Sequence, residues 1–218
     1  MPIPLRTKEC IAKRIRSSEA KDRSNPMLAA VILSGGSSSR MGSPKALLAY
    51  QGRPFLEHLL DVTKHPRIGV RRVVLGAHAE SIGKAVSLNA DEIVINDEWE
   101  KGQLSSIQAA LRSLPAGTDG ILLCLIDHPL ISSTLVDGLI EQFYSTLAPV
   151  VLPVYEGRRG HPVIFSSAVY DELEKARPDL GARSVVWAHK GEVIEYITTE
   201  EGCVVNLNDP DTFARLTS

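Results

Sequence analysis

The chain has 218 residues, of which 44% are hydrophobic and 23% charged, and its formal net charge is −2. This composition is typical of a globular α/β domain with a buried core, and the lack of a basic balance argues against a nucleic-acid-binding protein. No apolar run approaches the roughly 20 residues of a transmembrane helix, and three scattered cysteines argue against a disulfide framework, so we expect a cytoplasmic protein without a membrane partner.

Residues 1–26 differ in composition from the rest of the chain. They contain seven lysines and arginines against three acidic residues, and no apolar segment of a secretory signal follows them. We therefore expect a basic, flexible extension over residues 1–26, followed by a single domain over residues 27–218.

The first predicted element of this domain is a buried strand that begins at Leu28 and ends at a glycine- and serine-rich loop. Glycines such as Gly35 and Gly36 let the backbone approach a ligand closely and direct several N–H groups at one point. With Arg40 and Lys45 close behind, the loop indicates a site for a polyanion, most simply a nucleotide phosphate. The alternative is a plain turn with solvated cations. The loop has neither the Walker pattern nor the three-glycine dinucleotide fingerprint.

The rest of the chain shows helices and strands in alternation. We predict helices after Pro54 and over residues 80–88, 103–114 and 167–175, with further helices near Ser132 and after Pro210. We predict strands over residues 72–76, 92–96, 120–126, 149–154, 163–165 and 193–197. This alternation predicts a mostly parallel sheet that is covered by helices on both faces.

Three polar features follow predicted strand ends, namely the glycine loop, Asn96 and Asp127. Because ligands of such sheets bind beyond the carboxyl ends of the strands, we expect these features to share one edge. A carboxylate at this position could hold Mg²⁺ against phosphate oxygens. Alternatively, Asp127 caps the helix near Ser132 or bonds to the turn at His128-Pro129.

The segment LSGGSSSRMGSPKALL resembles the signature loop of the nucleotidylyltransferases related to the molybdenum cofactor enzymes, which reads roughly L-A-(G/A)-G-x-S-x-R-M-G-x-x-K. The resemblance implies a three-layer α/β/α Rossmann-like nucleotidyltransferase fold with a mostly parallel mixed sheet. It also implies that the loop wraps the NTP phosphates. The nucleotide-binding residues expected from it are Leu33, Ser34, Gly35, Gly36, Ser37, Arg40 and Lys45.

A later segment resembles a further motif of this family. Residues 96–106 are similar to its N-x-x-W-x-x-G-x-x-S-S segment, which implies that Asn96, Gly102 and Ser105 lie beside the base and sugar. We expect Trp99 of this segment in the core, because large aromatic side chains are mostly buried.

The family's metal residues have two counterparts in this chain. The strand-end D-H-P implies that Asp127 binds Mg²⁺, and Asn206-Leu207-Asn208 resembles the late segment that implies Asn208 as a second ligand. Relatives often have acidic residues in this late segment. Its alternative interpretation is a turn followed by a helix N-cap.

The segment Gly157–Pro162 resembles the G-x-x-G-H-P loop of the cofactor cytidylyltransferases, which faces the second substrate. The resemblance implies that Arg158, Arg159 and His161 bind the acceptor together with Arg183 of a second matching segment. Alternatively, the arginines are solvated surface cations, and His161 only positions its loop.

The resemblance implies a Mg²⁺-dependent nucleotidylyltransferase that joins an NMP to the phosphate of molybdopterin or its molybdenum form and releases pyrophosphate. Its catalytic residues are expected to be Arg40, Lys45 and Asp127, and a target molybdoenzyme is a further expected partner. The late segments favour CTP, whereas Leu33-Ser34-Gly35-Gly36 looks more like the guanylyltransferase loop. The alternatives are a nucleotidylyltransferase for sugar phosphates or other small phosphates, and a non-catalytic maturation partner that binds nucleotide and cofactor.

Overall fold

A mixed sheet forms the centre of the structure, a computed structural model that describes residues 27–36 and 43–208. The strands, in chain order, are β1 (Leu28–Ser34), β2 (Ala49–Tyr50), β3 (Arg53–Pro54), β4 (Ile68–Leu75), β5 (Ile93–Ile95), β6 (Gly120–Leu125), β7 (Val150–Tyr155), β8 (Arg158–Arg159), β9 (Val163–Ser166) and β10 (Val193–Ile197). Their order in the sheet is β10-β7-β9-β6-β1-β4-β5. Strand β8 pairs with β7, and β2 and β3 form a separate hairpin.

The central strand β1 is parallel to both of its neighbours. Its Ile32 lies opposite Val73 of β4 and Cys124 of β6, and all seven residues of β1 are buried. A strand that is buried on both faces needs a continuous apolar sequence, which explains why this segment is recognisable from its composition. Strand β9 is antiparallel to β6 and β7, whereas β10 is parallel to β7. The sheet is therefore mixed but mostly parallel, as predicted.

Helices cover both faces of the sheet. They are α1 (Phe55–Val62), α2 (Ala79–Ala85), α3 (Gln103–Arg112), α4 (Ser133–Thr146), α5 (Tyr170–Lys175) and α6 (Arg183–Ala188). Helices α1, α2 and α4 pack on the face of β1 that carries Leu28 and Ile32, and α3, α5 and α6 pack on the face that carries Val31 and Leu33. The two apolar clusters make the three-layer arrangement that was expected.

Helix α4 has an N-cap built from two segments. The side chain of Ser132 accepts a hydrogen bond from the backbone N–H of Leu135 at 3.1 Å. The carboxylate of Glu200 in turn accepts from the backbone N–H of Ser132 at 2.6 Å and from its hydroxyl at 2.5 Å. Because an N-cap satisfies the helix's first unpaired N–H groups, Asp127 is not needed as the cap, and that alternative for Asp127 is wrong.

The structure departs from the predicted elements mainly at their ends. Strand β4 begins four residues earlier than expected, since its first half is only partly buried and lacks a clear apolar signal. The helix expected over residues 167–175 is a 3-10 turn followed by α5, because the Ser166 hydroxyl accepts from the Ala168 N–H at 3.3 Å and tightens the first turn. Residues 1–26 and the helix expected after Pro210 lie outside the described residues.

The described helices are all too short or too polar to cross a membrane. Within the same residues, Cys124 and Cys203 are both buried and unpaired. Cys124 packs in the apolar core as a small hydrophobic side chain.

Gly120, the first residue of β6, provides a test of this packing. A methyl group there would lie 2.6 Å from the backbone oxygen of Phe165 on β9. We expect Gly120→Ala to lower the free energy of unfolding by about 1–3 kcal/mol, as overpacking does in a close-packed interior.

Chemical denaturation of both proteins measures this change, and Gly83→Ala is the matched control. Gly83 lies within helix α2, and a methyl group added there would meet no neighbouring side chain or segment within 4 Å, so alanine is expected to stabilise the chain by up to about 1 kcal/mol. Equal stability of the two variants would contradict the close contact between β6 and β9.

Candidate functional site

A cavity of about 320 Å³ lies at the carboxyl ends of β1, β4 and β6. This is the edge at which ligands of open parallel sheets bind. The expected residues that line it are Leu33, Ser34, Gly35, Gly36, Lys45, Gly102, Asp127 and Asn208. The sequence argument that several strand ends would converge on one site therefore agrees with the geometry.

Two backbone segments are in close contact beside the cavity. The N–H of Ala77, after β4, donates to the carbonyl of Gly35, after β1, at 3.3 Å. A side chain at Gly76 would lie 2.4 Å from that same carbonyl oxygen, so only glycine allows this approach. Ser37 and Arg40 of the expected phosphate loop lie outside the described residues.

Asn96 and Ser105 stand behind the cavity wall instead of lining it. Both are buried, and the Asn96 side-chain amide donates to the hydroxyls of Ser105 at 2.9 Å and Ser106 at 3.0 Å. The Asn96 carbonyl oxygen accepts from the backbone N–H of Glu98 at 3.0 Å. These bonds fix the turn before helix α3, where Gly102 has φ +94°, a backbone conformation that favours glycine.

Trp99 is not a core residue, contrary to the expectation. It is half-buried in a 3-10 turn, where it lines the cavity and packs over Gly76. The turn lies between strand β5 and helix α3 and borders the cavity, so the ring is not enclosed between a helix and the sheet. The aromatic side chain therefore becomes a wall of the site.

Sequence reasoning missed other residues of the cavity wall. Besides Trp99, these are Pro44, His78, Ile82, Gln103, Ser106, Leu125 and Ile126. His78 follows the carboxyl end of β4, so the strand-end rule that selected Asn96 could have found it. Gln103 and Ser106 belong to the first turn of α3, directly after the motif glycine Gly102.

Asp127 is the point at which three distant segments meet. Its carboxylate accepts a hydrogen bond from the Asn206 side chain at 3.0 Å, and its backbone oxygen accepts from the Leu207 N–H at 2.8 Å. The ammonium group of Lys45 lies 3.7 Å from the same carboxylate and donates a hydrogen bond to Oδ1 of Asn208. The phosphate-loop lysine and both expected metal ligands are thus neighbours.

These side chains fit a hard divalent cation. Asp127 and Asn208 offer oxygen atoms, and Oδ1 of Asn206 is buried without a hydrogen-bond partner in the described structure. Among residues 27–36 and 43–208, no three His, Cys, Asp or Glu side chains are placed to hold a metal. Mg²⁺ does not need such a cage, since it is often held by one or two carboxylates with water and substrate phosphates.

The expected acceptor loop is attached beside Asp127. The backbone N–H of His161 donates to the carbonyl of Cys203 at 2.8 Å, and that of Gly160 donates to the carbonyl of Pro153 at 2.9 Å. The His161 ring lies 5.0 Å from the ring of His128, whose Nε2 is 3.9 Å from the Asp127 carboxylate. The two imidazoles therefore connect the loop to the end of β6.

The three arginines expected at the acceptor lie outside the cavity lining. Arg159 is exposed and pairs with Glu195 of β10 at 2.7 Å, whereas Arg158 has no ion-pair partner among the described residues. Arg183 is the exposed first residue of α6, and its guanidinium lies 5.9 Å from the ring centroid of Trp187. The structure thus brings His161 towards Asp127 and leaves the arginines on the surface.

Both imidazoles of this connection are neutral near pH 7. Burial lowers the pKa of His128, although the Asp127 carboxylate opposes this effect. Burial and the neighbouring His128 lower the pKa of His161 to about 4. The Nδ1 atoms of both rings are buried without a hydrogen-bond partner in the described part of the chain.

The low pKa of His161 predicts a loss of stability in acid. Because the unfolded histidine, with a pKa near 6.5, takes up its proton first, the folded state loses stability as the pH falls from about 6.5 towards 4. The full loss is about 3 kcal/mol by proton linkage. We expect the free energy of unfolding of His161→Gln to fall less over this range than that of the wild type.

Denaturant titrations at several pH values measure both slopes. His189→Gln is the control, because a hydrogen bond to Glu172 raises the pKa of His189. Its contribution is nearly complete below pH 6.5, so this variant should retain the wild-type slope. A wild-type slope in His161→Gln would show that the ring can be protonated in the folded protein at little cost.

Comparison with known proteins connects this chain to a family. Residues 30–193 match the family described as MobA-like NTP transferase domain. The chain is 32% identical over 175 residues to nicotine blue oxidoreductase of Paenarthrobacter nicotinovorans, which covers 74% of this chain and 82% of that protein. It is 29% identical over 190 residues to molybdenum cofactor guanylyltransferase of Vibrio atlanticus, with coverage of 83% and 91%.

The fold has a counterpart among solved structures. The crystal structure of Rv0371c from Mycobacterium tuberculosis superimposes with a TM-score of 0.76 at 27% identity, and covers 88% of this chain and 98% of that one. A second structure of the same protein, with a TM-score of 0.72 and the same identity and coverage, is a complex with manganese.

Proposed function

This chain belongs to the MobA-like NTP transferase family, and we propose that it joins the NMP of CTP to the phosphate of molybdopterin or its molybdenum form, with release of pyrophosphate. The observation that carries the proposal is the meeting of Lys45, Asp127 and Asn208 beside the glycine loop, at the edge of one cavity. A cation, a carboxylate and backbone N–H groups at one strand-end cavity are the groups that phosphoryl transfer needs.

The reaction is an in-line displacement at the α-phosphorus of the nucleotide. An oxygen of the acceptor phosphate forms a bond to this phosphorus, while the bond to the bridging oxygen of the β-phosphate breaks and pyrophosphate leaves. Lys45, with Arg40, holds the β- and γ-phosphates as their negative charge increases. Asp127 and Asn208 would hold Mg²⁺. When bound, the ion neutralises charge on the reacting phosphate.

The remaining site residues position the two substrates. The Gly35-Gly36 backbone binds phosphate, and the wall of Trp99 and Gly102 faces base and sugar, supported from behind by Asn96 and Ser105. We also assign Ser37 to phosphate binding. The acceptor phosphate binds on the side of His161, close to Asp127, and the loop arginines together with Arg183 attract its charge.

GTP is the second candidate nucleotide. Leu33-Ser34-Gly35-Gly36 resembles the guanylyltransferase loop, and several relatives are named molybdenum cofactor guanylyltransferases. The late segments around His161 and Arg183 resemble the cytidylyltransferases and favour CTP. The three scattered cysteines are compatible with the reducing cytoplasm in which we place the reaction.

A pyrophosphate-release screen tests the proposal directly. Purified protein with Mg²⁺ is combined with CTP, GTP, ATP or UTP and with molybdopterin or a sugar phosphate as acceptor. We expect release with CTP and molybdopterin. Release only with a sugar phosphate would identify the other transferase class, and NTP binding without turnover would favour a maturation partner. Redox turnover of nicotine blue without pyrophosphate release would instead ally the chain with nicotine blue oxidoreductase.

The carboxylate of Asp127 is expected to be essential for turnover. Asp127→Asn keeps the size of the side chain and an oxygen that can accept hydrogen bonds, but it removes the negative charge. We therefore expect the Mg²⁺-dependent rate to fall at least about 100-fold, the usual scale for lost charge stabilisation.

Initial rates over a range of Mg²⁺ concentrations measure this effect. Asp171→Asn, which alters an exposed carboxylate of α5 that pairs with Lys175, is the matched control and should retain the wild-type rate. If Asp127→Asn retained its rate at every Mg²⁺ concentration, Asp127 would be a structural residue only.

The two loop arginines should differ in their effect on the acceptor. Arg158 has no ion-pair partner among the described residues, whereas Arg159 is bound to Glu195 and must exchange that partner for the acceptor. We expect Arg158→Ala to raise the acceptor KM several-fold and Arg159→Ala to raise it less, with the NTP Kd nearly unchanged in both.

Acceptor kinetics and NTP binding by calorimetry separate these constants. Arg177→Ala, which removes a surface arginine paired with Asp179, is the control for loss of positive charge alone. A weakened NTP Kd with normal acceptor kinetics would move the loop to the nucleotide half of the site.

A further inference from the structure

The ammonium group of Lys45 lies between the two side chains that are assigned to the divalent cation. It is 3.7 Å from the Asp127 carboxylate and donates a hydrogen bond to Oδ1 of Asn208. A lysine that serves only the nucleotide phosphates would have no reason to engage both of these oxygen-bearing groups. The protein atoms that are assigned to the divalent cation therefore also bind the positive charge of the lysine itself.

We propose that Lys45 is an internal competitor of the divalent cation, so that the metal binds firmly only when a nucleotide draws the lysine away. This inference rests on the proposed function for its assignment of Asp127 and Asn208. The inference adds an order of binding. Metal and nucleotide bind together, and the protein does not bind the metal firmly before the nucleotide is present.

Burial makes the competition effective. The side chains of Lys45 and Asp127 are only 14% and 19% exposed, so water screens their charges poorly. A divalent ion beside the ammonium would place like charges within about 4 Å of each other, where Coulomb repulsion is strong even at a high effective dielectric constant. The Asn208 oxygen is also engaged by the lysine and is a weaker ligand for a second cation.

The local backbone allows the lysine side chain to move while its main chain stays fixed. Lys45 begins a 3-10 turn in which its carbonyl accepts from the Leu48 N–H at 3.1 Å, and the next residue, Ala46, is buried. The flexible four-carbon stem of lysine can turn from Asp127 to a phosphate without any change in the fold. Nucleotide phosphates at the neighbouring Gly36 would offer the ammonium a competing anion.

The coupling must act in both directions. If the nucleotide relieves the competition between Lys45 and the metal, then the metal raises nucleotide affinity by the same factor, because binding free energies are linked. Asp127 thereby keeps a counter-charge in both states. It pairs with the lysine before substrate binding and with the metal afterwards.

Metal binding without nucleotide tests this proposal independently of turnover. Mn²⁺ is titrated into the full-length chain, and its free concentration is followed by electron paramagnetic resonance. We expect Lys45→Met, which keeps the length of the side chain without its charge, to bind Mn²⁺ at least about tenfold more tightly than the wild type. Lys45→Arg retains the charge and should bind as weakly as the wild type.

Two further variants locate the effect. Lys84→Met removes an exposed lysine that pairs with Glu80 on α2 and should leave Mn²⁺ affinity unchanged. Adding Asp127→Asn to Lys45→Met should abolish the gain, because the carboxylate would be lost. Thermal unfolding of each variant checks that the fold is intact.

The proposal is overturned if Lys45→Met binds Mn²⁺ no more tightly than the wild type, including the case in which neither binds measurably. It is also overturned if the gain persists in the double variant, since the ion would then bind elsewhere. If Lys45→Met binds Mn²⁺ more tightly but the wild type releases no pyrophosphate with any NTP, this inference stands and the proposed function is rejected. If the wild type releases pyrophosphate but Lys45→Met binds Mn²⁺ no more tightly, the proposed function stands and this inference is rejected.

Discussion

The arrangement of the site depends on one electrostatic requirement, the compensation of a carboxylate at the end of a buried strand. An ionised group that loses contact with water needs hydrogen bonds and opposite charge in return. Asp127 obtains them from Asn206 and Lys45, which come from distant parts of the chain. These contacts hold the Lys45 side of the cavity against the segment of residues 206–208. The requirement also explains why Lys45, Asp127 and Asn208 meet although they lie far apart in the sequence.

Much of the fold could be predicted because a strand that is buried on both faces has a continuous apolar sequence. The segment from Leu28 to Ser34 is apolar throughout, and Val193–Ile197 was predicted with its observed bounds. The reversed direction of β9 could not be predicted, since a four-residue apolar strand reads the same in either direction. Its direction is set by pairing with β6 and β7, which is a property of the tertiary structure and not of the local sequence.

The residues of the site that could be predicted are mainly those whose position follows from the course of the backbone. Strand ends and the glycine loop led to Gly35 and Asp127, and the family resemblance led to Gly102; all three line the cavity. Side-chain partners across the fold were beyond that reasoning. The pairing of Arg159 with Glu195 requires knowledge that β8 and β10 both lie against β7, and the buried place of Asn96 follows from its bonds to two serines.

The reversed strand β9 has a consequence for how such a protein can diversify. Because β9 runs opposite to β6, its first residue, Val163, lies beside the final residues of β6, so the chain enters β9 at the cavity edge of the sheet. The loop before it can lengthen, shorten or change charge while the parallel strands β6, β1, β4 and β5 keep their register. Under the proposed function, the acceptor half of the site can then evolve towards new second substrates without altering the nucleotide half. A fold of this kind is suited to gene duplication, in which copies share a donor molecule and differ in what they attach it to.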